Sequence, residues 1–211
     1  MAQTEVGTVL GAVSGHAEVS RAIRVAAVVF LALLTAIAAQ VAVPLPFTPV
    51  PLTLQPMVVL LGGAALGSRL GMSSQLLYLC AGIAGLPVFA PSAVLPAGVF
   101  RLLGPTGGYL LSYPLAAFLT GWLAERGFDR RYGASVLAMS GGLAIIFTFG
   151  VTWLALFARP TPLGFEAALR AGFYAFLPVD LYKVLVAAGI LPTVWRVTGR
   201  RNPEPRNPLN P

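Results

Sequence analysis

Long apolar segments separated by short polar links occupy most of this 211-residue chain. Hydrophobic residues make up 57% of it and charged residues 10%, against about 45–50% and about 25% in typical soluble domains. A disordered chain, a coiled coil and a disulfide-rich secreted module are therefore excluded. Because a spanning helix needs about 20 apolar residues, the composition predicts an all-α integral membrane protein with about six transmembrane helices.

The apolar segments predict a single transmembrane domain over residues 21–195, with spans at about 22–43, 54–67, 72–86, 105–124, 133–158 and 171–194. Residues 1–20 and 196–211 are expected to form tails, the second of them basic. Residues 68–71 alone are expected to separate the second and third spans, which are short for a hydrocarbon core of about 30 Å. Short, Gly/Pro-interrupted spans are typical of binding sites at membrane depth, with tilt or local bilayer thinning as the alternative.

The distribution of arginine predicts the orientation of the chain. Ten arginines fall on the side of the two termini and three, Arg101, Arg159 and Arg170, on the other. Since cytoplasmic segments carry the excess of basic residues, both termini are predicted to be cytoplasmic and segment 43–53 external. Anionic lipid then accounts for the net charge of +7. Nucleic acid is not expected as a partner, because the aromatic residues lie in apolar segments rather than among the arginines.

Apart from Arg24 at the start of the first predicted span, two charged residues lie inside the predicted spans: Asp180 and Lys183, the only lysine of the chain. Their i, i+3 spacing places them on one helix face, and a charge at the bilayer centre costs about 2.5–3.5 kcal/mol, which makes both functional candidates. An ammonium can meet a carboxylate and an aspartate can accept N–H donors. The pair therefore suits a small ligand with a carboxylate and amide-like donors, and an ion pair without function is the alternative.

The sequence contains no motif for hydrolysis or for ATP binding. HExxH, GxSxG and the Walker A pattern are all missing, and the only histidine, His16, is not expected to ligate a metal. We therefore predict no catalytic residue, no metal site and no cofactor, and transport or binding is favoured over catalysis. An intramembrane enzyme that uses Asp180 and Lys183 as acid and base, and a purely structural subunit, are the alternatives.

Four segments carry a specific resemblance to a known family. They read PLPFTPVPLTLQ (44–55), YLCAGIAGLPVF (78–89), LGPTGGY (103–109) and LPVDLYK (177–183). In this order they closely resemble the BioY family, the biotin-binding S components of energy-coupling factor (ECF) transporters, over about residues 25–195. The resemblance implies an S-component-like six-helix bundle in a bacterial or archaeal cell membrane that captures external biotin. It also implies a transmembrane T component and two ATPase subunits as partners.

The resemblance also implies roles for individual residues. Asp180 and Lys183 would hold the polar ends of biotin. Segment 46–55 would form a lid over the pocket, with ligand contacts from Phe47, Thr53 and Gln55, and a stiff connector is the alternative.

Three aromatic residues, Tyr78, Phe89 and Tyr109, are candidate walls around the bicyclic ring of biotin, with core packing as the alternative for each. The glycines of segment 104–108 are expected mainly to allow close packing of the helices, and only secondarily to contact the ligand. After Phe89 the chain departs from the family pattern, since Ser92 stands in a segment where a polar amide is expected. Ser92 is therefore the predicted substitute contact.

Ala32 and Ala36 in the first span have the small-xxx-small spacing that permits close helix contact, as do Ala22 and Ala26, and Ala38 and Ala42. The resemblance implies such a face against the T component, and internal packing is the alternative. The predicted function is capture of biotin as the substrate-specific subunit of an ATP-driven ECF transporter. A solitary biotin transporter and capture of another small anionic vitamin remain alternatives.

Overall fold

The computed structural model describes residue 8, residues 21–92 and residues 95–197. Its helices are α1 (Arg21–Gln40), α2 (Gln55–Leu66), α3 (Ser68–Ile83), α4 (Phe100–Leu103), α5 (Gly107–Ala124), α6 (Tyr132–Leu156), α7 (Phe165–Leu169) and α8 (Leu177–Val197). Two short strands, β1 (Ala42–Val43) and β2 (Leu52–Thr53), follow α1, and a π-helical turn (Arg170–Tyr174) connects α7 to α8. The predicted tails lie outside the described residues, except for Thr8 and for residues 196–197, which extend α8.

Each of the six predicted spans overlaps one of the helices α1, α2, α3, α5, α6 and α8, although their bounds differ by several residues. In the described chain, three helical stretches are long and apolar enough to cross a bilayer: Arg21–Gln40, Tyr132–Leu156 and Phe165–Arg196. Helices α2 and α3 have 12 and 16 residues, which corresponds to about 18 and 24 Å at 1.5 Å per residue. The number of spans and the side of the termini therefore stay predictions.

The connection between α2 and α3 differs from the predicted one. Residues 68–71 form the first turn of α3, and Gly67 alone separates the helices, with a φ of +89° that suits glycine. The Glu125 carboxylate accepts hydrogen bonds from the Ser68 backbone N–H (2.7 Å) and hydroxyl (2.9 Å). Because a carboxylate satisfies the free N–H groups and the dipole of a helix N-terminus, a residue distant in the sequence stabilises the start of α3.

Helix α5 lies at the centre of the bundle and packs against α2, α3 and α6. Small residues allow this close approach: Gly63 of α2 abuts the backbone of Ala117, and Gly121 of α5 abuts the backbone of Gly67 and Ser68. In each place an added Cβ would overlap the neighbouring backbone. The apolar core therefore forms around α5.

The face of α1 that carries Ala32 and Ala36 packs inside the bundle. Ala32 belongs to the buried core and Ala36 packs against it, where α1 contacts α2 and α3. This burial conflicts with the prediction that the pair meets a partner, because a covered helix face offers no surface to another chain. A second small-xxx-small pair of α1, Ala22 and Ala26, has both residues exposed, unlike Ala32 and Ala36.

The linkers gather at two ends of the bundle, which we call the turn end and the cavity end. The turn end comprises Gly67, residues 125–131 and the end of α8, where Trp195 Nε1 donates to the buried carboxylate of Asp129 (2.6 Å). The cavity end comprises residues 41–54, the described residues of 84–106, and residues 157–176. There the Arg159 backbone N–H donates to the Leu103 carbonyl oxygen (2.9 Å). The longer linkers of the cavity end leave room between the helix ends.

Candidate ligand-binding cavity

The cavity end encloses a space of about 840 Å³. Ligand pockets typically measure about 300–1,000 Å³ and have mostly apolar walls with a few placed polar groups. The walls come from the proline-rich linker, segment 89–106, α5, α6 and the start of α8, and the charged lining residues in the described chain are Arg101, Arg159 and Asp180. The cavity therefore has the size and composition of a small-molecule site.

Asp180 and Lys183 form a buried ion pair at the start of α8. Lys183 Nζ lies 2.7 Å from Asp180 Oδ1 and 2.6 Å from the carbonyl oxygen of Thr53 in β2. Asp180 is on the cavity wall, in the first turn of α8, where the helix dipole favours an anion. Lys183 lies behind it and does not line the cavity. The lysine therefore holds the carboxylate at the wall and connects the proline-rich linker to α8.

Thr53, Gln55 and Phe89 line the cavity, and Tyr78 supports them from behind. Gln55 Nε2 donates to the Tyr78 hydroxyl (2.7 Å), which donates to the carbonyl oxygen of Val88 (3.2 Å). The Tyr78 ring meets the Phe89 ring edge to face, with 5.4 Å between centroids. The structure thus brings these four predicted residues together, and places Tyr78, which is 1% exposed, in the packing behind the wall.

Tyr109 lines the cavity from α5, together with Tyr113 one helical turn further on. The Tyr109 hydroxyl donates to the carbonyl oxygen of Gly172 in the π-helical turn (2.8 Å). Gly150 of α6 faces the Tyr109 ring and leaves no room for a Cβ. Tyr113 was not among the predicted wall residues, although its i+4 spacing from Tyr109 places it on the same helix face.

The remaining two predicted ligand contacts differ in position: Phe47 lies outside the cavity, whereas Ser92 lines it. Phe47 is 65% exposed and its ring is outside the cavity, because it stands in the turn at the tip of the proline-rich linker rather than in the strands. The structure therefore does not support a ligand contact at Phe47. Ser92 is exposed and lines the cavity, and its hydroxyl accepts a hydrogen bond from the Leu95 backbone N–H (3.1 Å).

The proline-rich linker forms one wall of the cavity. Its four prolines in segment 43–53 exclude a regular helix, and its ends pair as antiparallel strands, with Ala42 opposite Thr53. The Thr48 hydroxyl donates to the carbonyl oxygen of Ala171 (2.7 Å), which joins the linker to the π-helical turn. The linker is therefore a small hairpin held at two points, by Thr48 and by Lys183.

Arg101 lines the cavity, although its position in the sequence had indicated only the orientation of the chain. Its Nε donates to the carbonyl oxygen of Pro96 (3.0 Å) and its Nη1 to that of Ala90 (2.7 Å), so the guanidinium holds the segment before α4 in place. Partial burial lowers the pKa of the Arg101 guanidinium from its usual value, which still leaves an arginine charged at neutral pH. Arg101 is the one arginine between the third and fourth predicted spans, and this isolated position could have indicated a role in the site.

The cavity combines a carboxylate that accepts hydrogen bonds, guanidinium groups that can bind an anion, and aromatic walls. In the described residues, no group of three or more His, Cys, Asp or Glu side chains could hold a metal ion. The arrangement suits a small molecule that has N–H donors, an apolar body and an anionic group.

Comparison with known proteins identifies the family. A model of the BioY family matches residues 6–200. The probable biotin transporter BioY of Pyrococcus horikoshii is 38% identical over 167 residues, which are 79% of this chain and 93% of that protein. The biotin transporter BioY of Rhizobium etli is 35% identical over 166 residues, which are 75% of this chain and 85% of that protein.

A solved structure has a similar fold. It is a crystal structure of the S-component for biotin from an ECF-type ABC transporter, and it aligns with a TM-score of 0.72 and 23% identity over 83% of this chain and 92% of that chain. At this identity the likeness shows the fold alone. With a family match over nearly its whole length and several apolar helices, the chain is a multi-pass membrane protein that belongs to the BioY family.

Proposed function

We propose that this protein takes up biotin and captures it in the cavity as the substrate-specific subunit of an ATP-driven ECF transporter. The observation that carries the proposal is the cavity itself. The Asp180 carboxylate and the Arg101 guanidinium both line it, and its walls are otherwise mostly apolar. Biotin offers two ureido N–H donors, an apolar bicyclic body and a carboxylate at the end of an aliphatic chain. The names of the relatives, which are biotin transporters, support this choice of ligand.

In this proposal each polar group of biotin meets a complementary group. Asp180 accepts a ureido N–H, a charge-assisted hydrogen bond that is stronger than a neutral one. The Arg101 guanidinium receives the carboxylate, and Phe89 and Tyr109 pack against the bicyclic ring. Lys183 acts on the ligand through Asp180, because it lies behind the carboxylate and bonds the linker as well.

Further polar contacts come from the residues around this core of the site. Thr53, Gln55 and Ser92 line the cavity and carry groups that can bond the ligand. The proline-rich linker serves as the lid, since its connection to α8 passes through the Thr53 carbonyl oxygen next to Asp180.

Partner proteins supply the energy for transport in this proposal, because the chain contains no nucleotide-binding motif. The partners are a transmembrane T component and two ATPase subunits. We place the helix contact on the exposed face of α1, where Ala22 and Ala26 keep the spacing that permits close approach. The protein then lies in a bacterial or archaeal cell membrane with both termini cytoplasmic and the cavity end outside.

Thermal unfolding of the purified protein in detergent, with biotin, thiamine or riboflavin added, tests the choice of ligand. Biotin should raise the melting temperature in a concentration-dependent way, because a ligand at 100 times its Kd stabilises the folded state by about 2.7 kcal/mol. A response to thiamine or riboflavin without one to biotin would reassign the ligand. No response to any of the three would contradict the proposal.

Uptake of biotin by a host that lacks every ECF module tests the partnership. The proposal expects no accumulation until the T component and the ATPase subunits are supplied together. Accumulation by this chain alone would instead indicate a solitary transporter.

A further inference from the structure

Three charged residues line the cavity in the described chain, and two of them are positive. The negative one, Asp180, is paired with Lys183 at 2.7 Å, so its charge is largely compensated on the side away from the cavity. Arg101 and Arg159 therefore give the cavity a positive potential. Because low-dielectric walls focus the field of such charges, a cleft of this kind attracts anions.

The two arginines differ in what holds their side chains. Three nitrogens of the Arg101 guanidinium donate to backbone carbonyl oxygens of segment 90–96. For the Arg159 guanidinium, the described part of the chain provides neither a hydrogen bond nor an ion pair. Its side chain is exposed, while its backbone N–H is fixed on the Leu103 carbonyl oxygen of α4. The Arg159 guanidinium is therefore available to an anion, as far as the described residues show. Its backbone is held next to α4, the helix that contains Arg101.

The acidic residue nearest in the same linker does not compensate this charge. Glu166 forms an ion pair with Arg170 at 2.7 Å, and both side chains are largely exposed. Arg170 therefore provides a matched control: it is an exposed arginine of the same linker that does not line the cavity and has an acidic partner.

We infer that Arg159 is an electrostatic capture residue, which draws the carboxylate of the ligand to the cavity and speeds its association. The inference rests on the proposed function and extends it to the kinetics of binding. A charge at the mouth of a cleft mainly changes the association rate, and its effect falls as salt shortens the Debye length from about 10 Å at 0.1 M to about 3 Å at 1 M.

Stopped-flow association rates of the wild-type protein, Arg159→Gln and Arg170→Gln provide the test, with biotin and with its uncharged amide. Arg159→Gln should slow the association of biotin about threefold or more at low salt, and the difference should vanish near 1 M salt. The association of the amide should be unchanged. Arg170→Gln should behave as wild type with both ligands.

Equal slowing of biotin and its amide by Arg159→Gln would show a structural defect and overturn the inference. An unchanged rate for biotin at low salt would also overturn it, while the proposed function stood. Failure of the wild-type protein to bind biotin at all would instead overturn the proposed function, and this inference with it.

Discussion

At the turn end of the bundle, Gly67 alone and residues 125–131 connect the helices, whereas at the cavity end three longer linkers meet between the helix ends. Two carboxylates organise the turn end: Glu125 bonds the start of α3, and Asp129 accepts from Trp195. At the cavity end, side-chain donors hold the linkers by their backbone carbonyl oxygens. Thr48, Arg101 and Tyr109 all do so.

The difference shows how the cavity end can remain open and still be ordered. Non-helical backbone at membrane depth is tolerated where its polar groups are satisfied or line a cavity. Here hydroxyl, guanidinium and ammonium groups bond the carbonyl oxygens of the linkers, and the Asp180 carboxylate stays on the cavity wall. The Asp180 carboxylate can therefore still accept a hydrogen bond from a ligand that carries N–H donors.

The comparison predicts the largest effect for Gly108, a glycine in the first turn of α5 next to the cavity end. A Cβ at Gly108 would overlap Trp153 and the carbonyl oxygen of Phe149, both in α6. Gly108→Val should therefore prevent folding, as measured by the yield of monodisperse protein in detergent. The control Gly133→Ala lies at the turn end, where an added Cβ meets open space, and should be neutral or stabilising by about 0.4–1 kcal/mol. Wild-type yield for Gly108→Val would contradict the packing described here.

The next largest effect is expected at the ion pair. Lys183→Met leaves the Asp180 carboxylate buried without its partner, which should lower the free energy of unfolding by about 3–5 kcal/mol. The double variant Asp180→Asn/Lys183→Met removes the stranded charge and should recover most of that stability without recovering biotin affinity. Thermal unfolding and biotin titration of both variants test this. A single variant as stable as wild type, or a double variant that binds biotin normally, would be incompatible with the assigned roles.

The smallest effect concerns the pH dependence of the turn end. Burial raises the pKa of the Asp129 carboxyl above its ordinary value, against smaller opposing contributions from the Trp195 hydrogen bond and from Arg130. The folded state therefore binds this proton more tightly than the unfolded state, so the stabilisation is present at acid pH and is lost as pH rises through the raised pKa.

Thermal unfolding of wild type and Asp129→Asn at about pH 4.5 and about pH 7.5 checks this sign, given an ordinary Asp pKa of about 3.9. The stability of wild type relative to Asp129→Asn should be greater at the lower pH. A relative stability that rises with pH would mean that the carboxylate is favoured in the folded state.

The helices and the charged pair could be predicted from the sequence, because apolar length locates helices and an intramembrane charge is rare. The start of α3 could not, since Glu125, which bonds Ser68, lies 57 positions away. The inward face of α1 was equally hidden, because large apolar residues such as Phe30 and Ile37 occupy the exposed side of this helix and no polar face marks the side turned away from the core. Ala32, predicted to face a partner with internal packing as the alternative, is buried within the bundle.

The cavity was predicted less completely than the helices. The motifs of the sequence include Asp180, Gln55 and Tyr109, which line the cavity. A motif does not show which of two neighbouring side chains faces a cavity. Lys183 was therefore expected to contact the ligand, whereas it lies behind Asp180. Arg101 and Arg159 had been used only as markers of orientation. Their approach to the cavity depends on where α4 and the linker after α6 fold, which sequence spacing does not encode.

Titration of biotin into purified Asp180→Asn and Asp129→Asn tests the central claim most directly, because each variant neutralises one buried carboxylate, one at each end of the bundle. We predict that Asp180→Asn weakens biotin binding by tenfold or more, the equivalent of about 1.4 kcal/mol, while Asp129→Asn binds as wild type. Wild-type affinity in Asp180→Asn, or an equal loss in both variants, would contradict the assignment of the site to the cavity end.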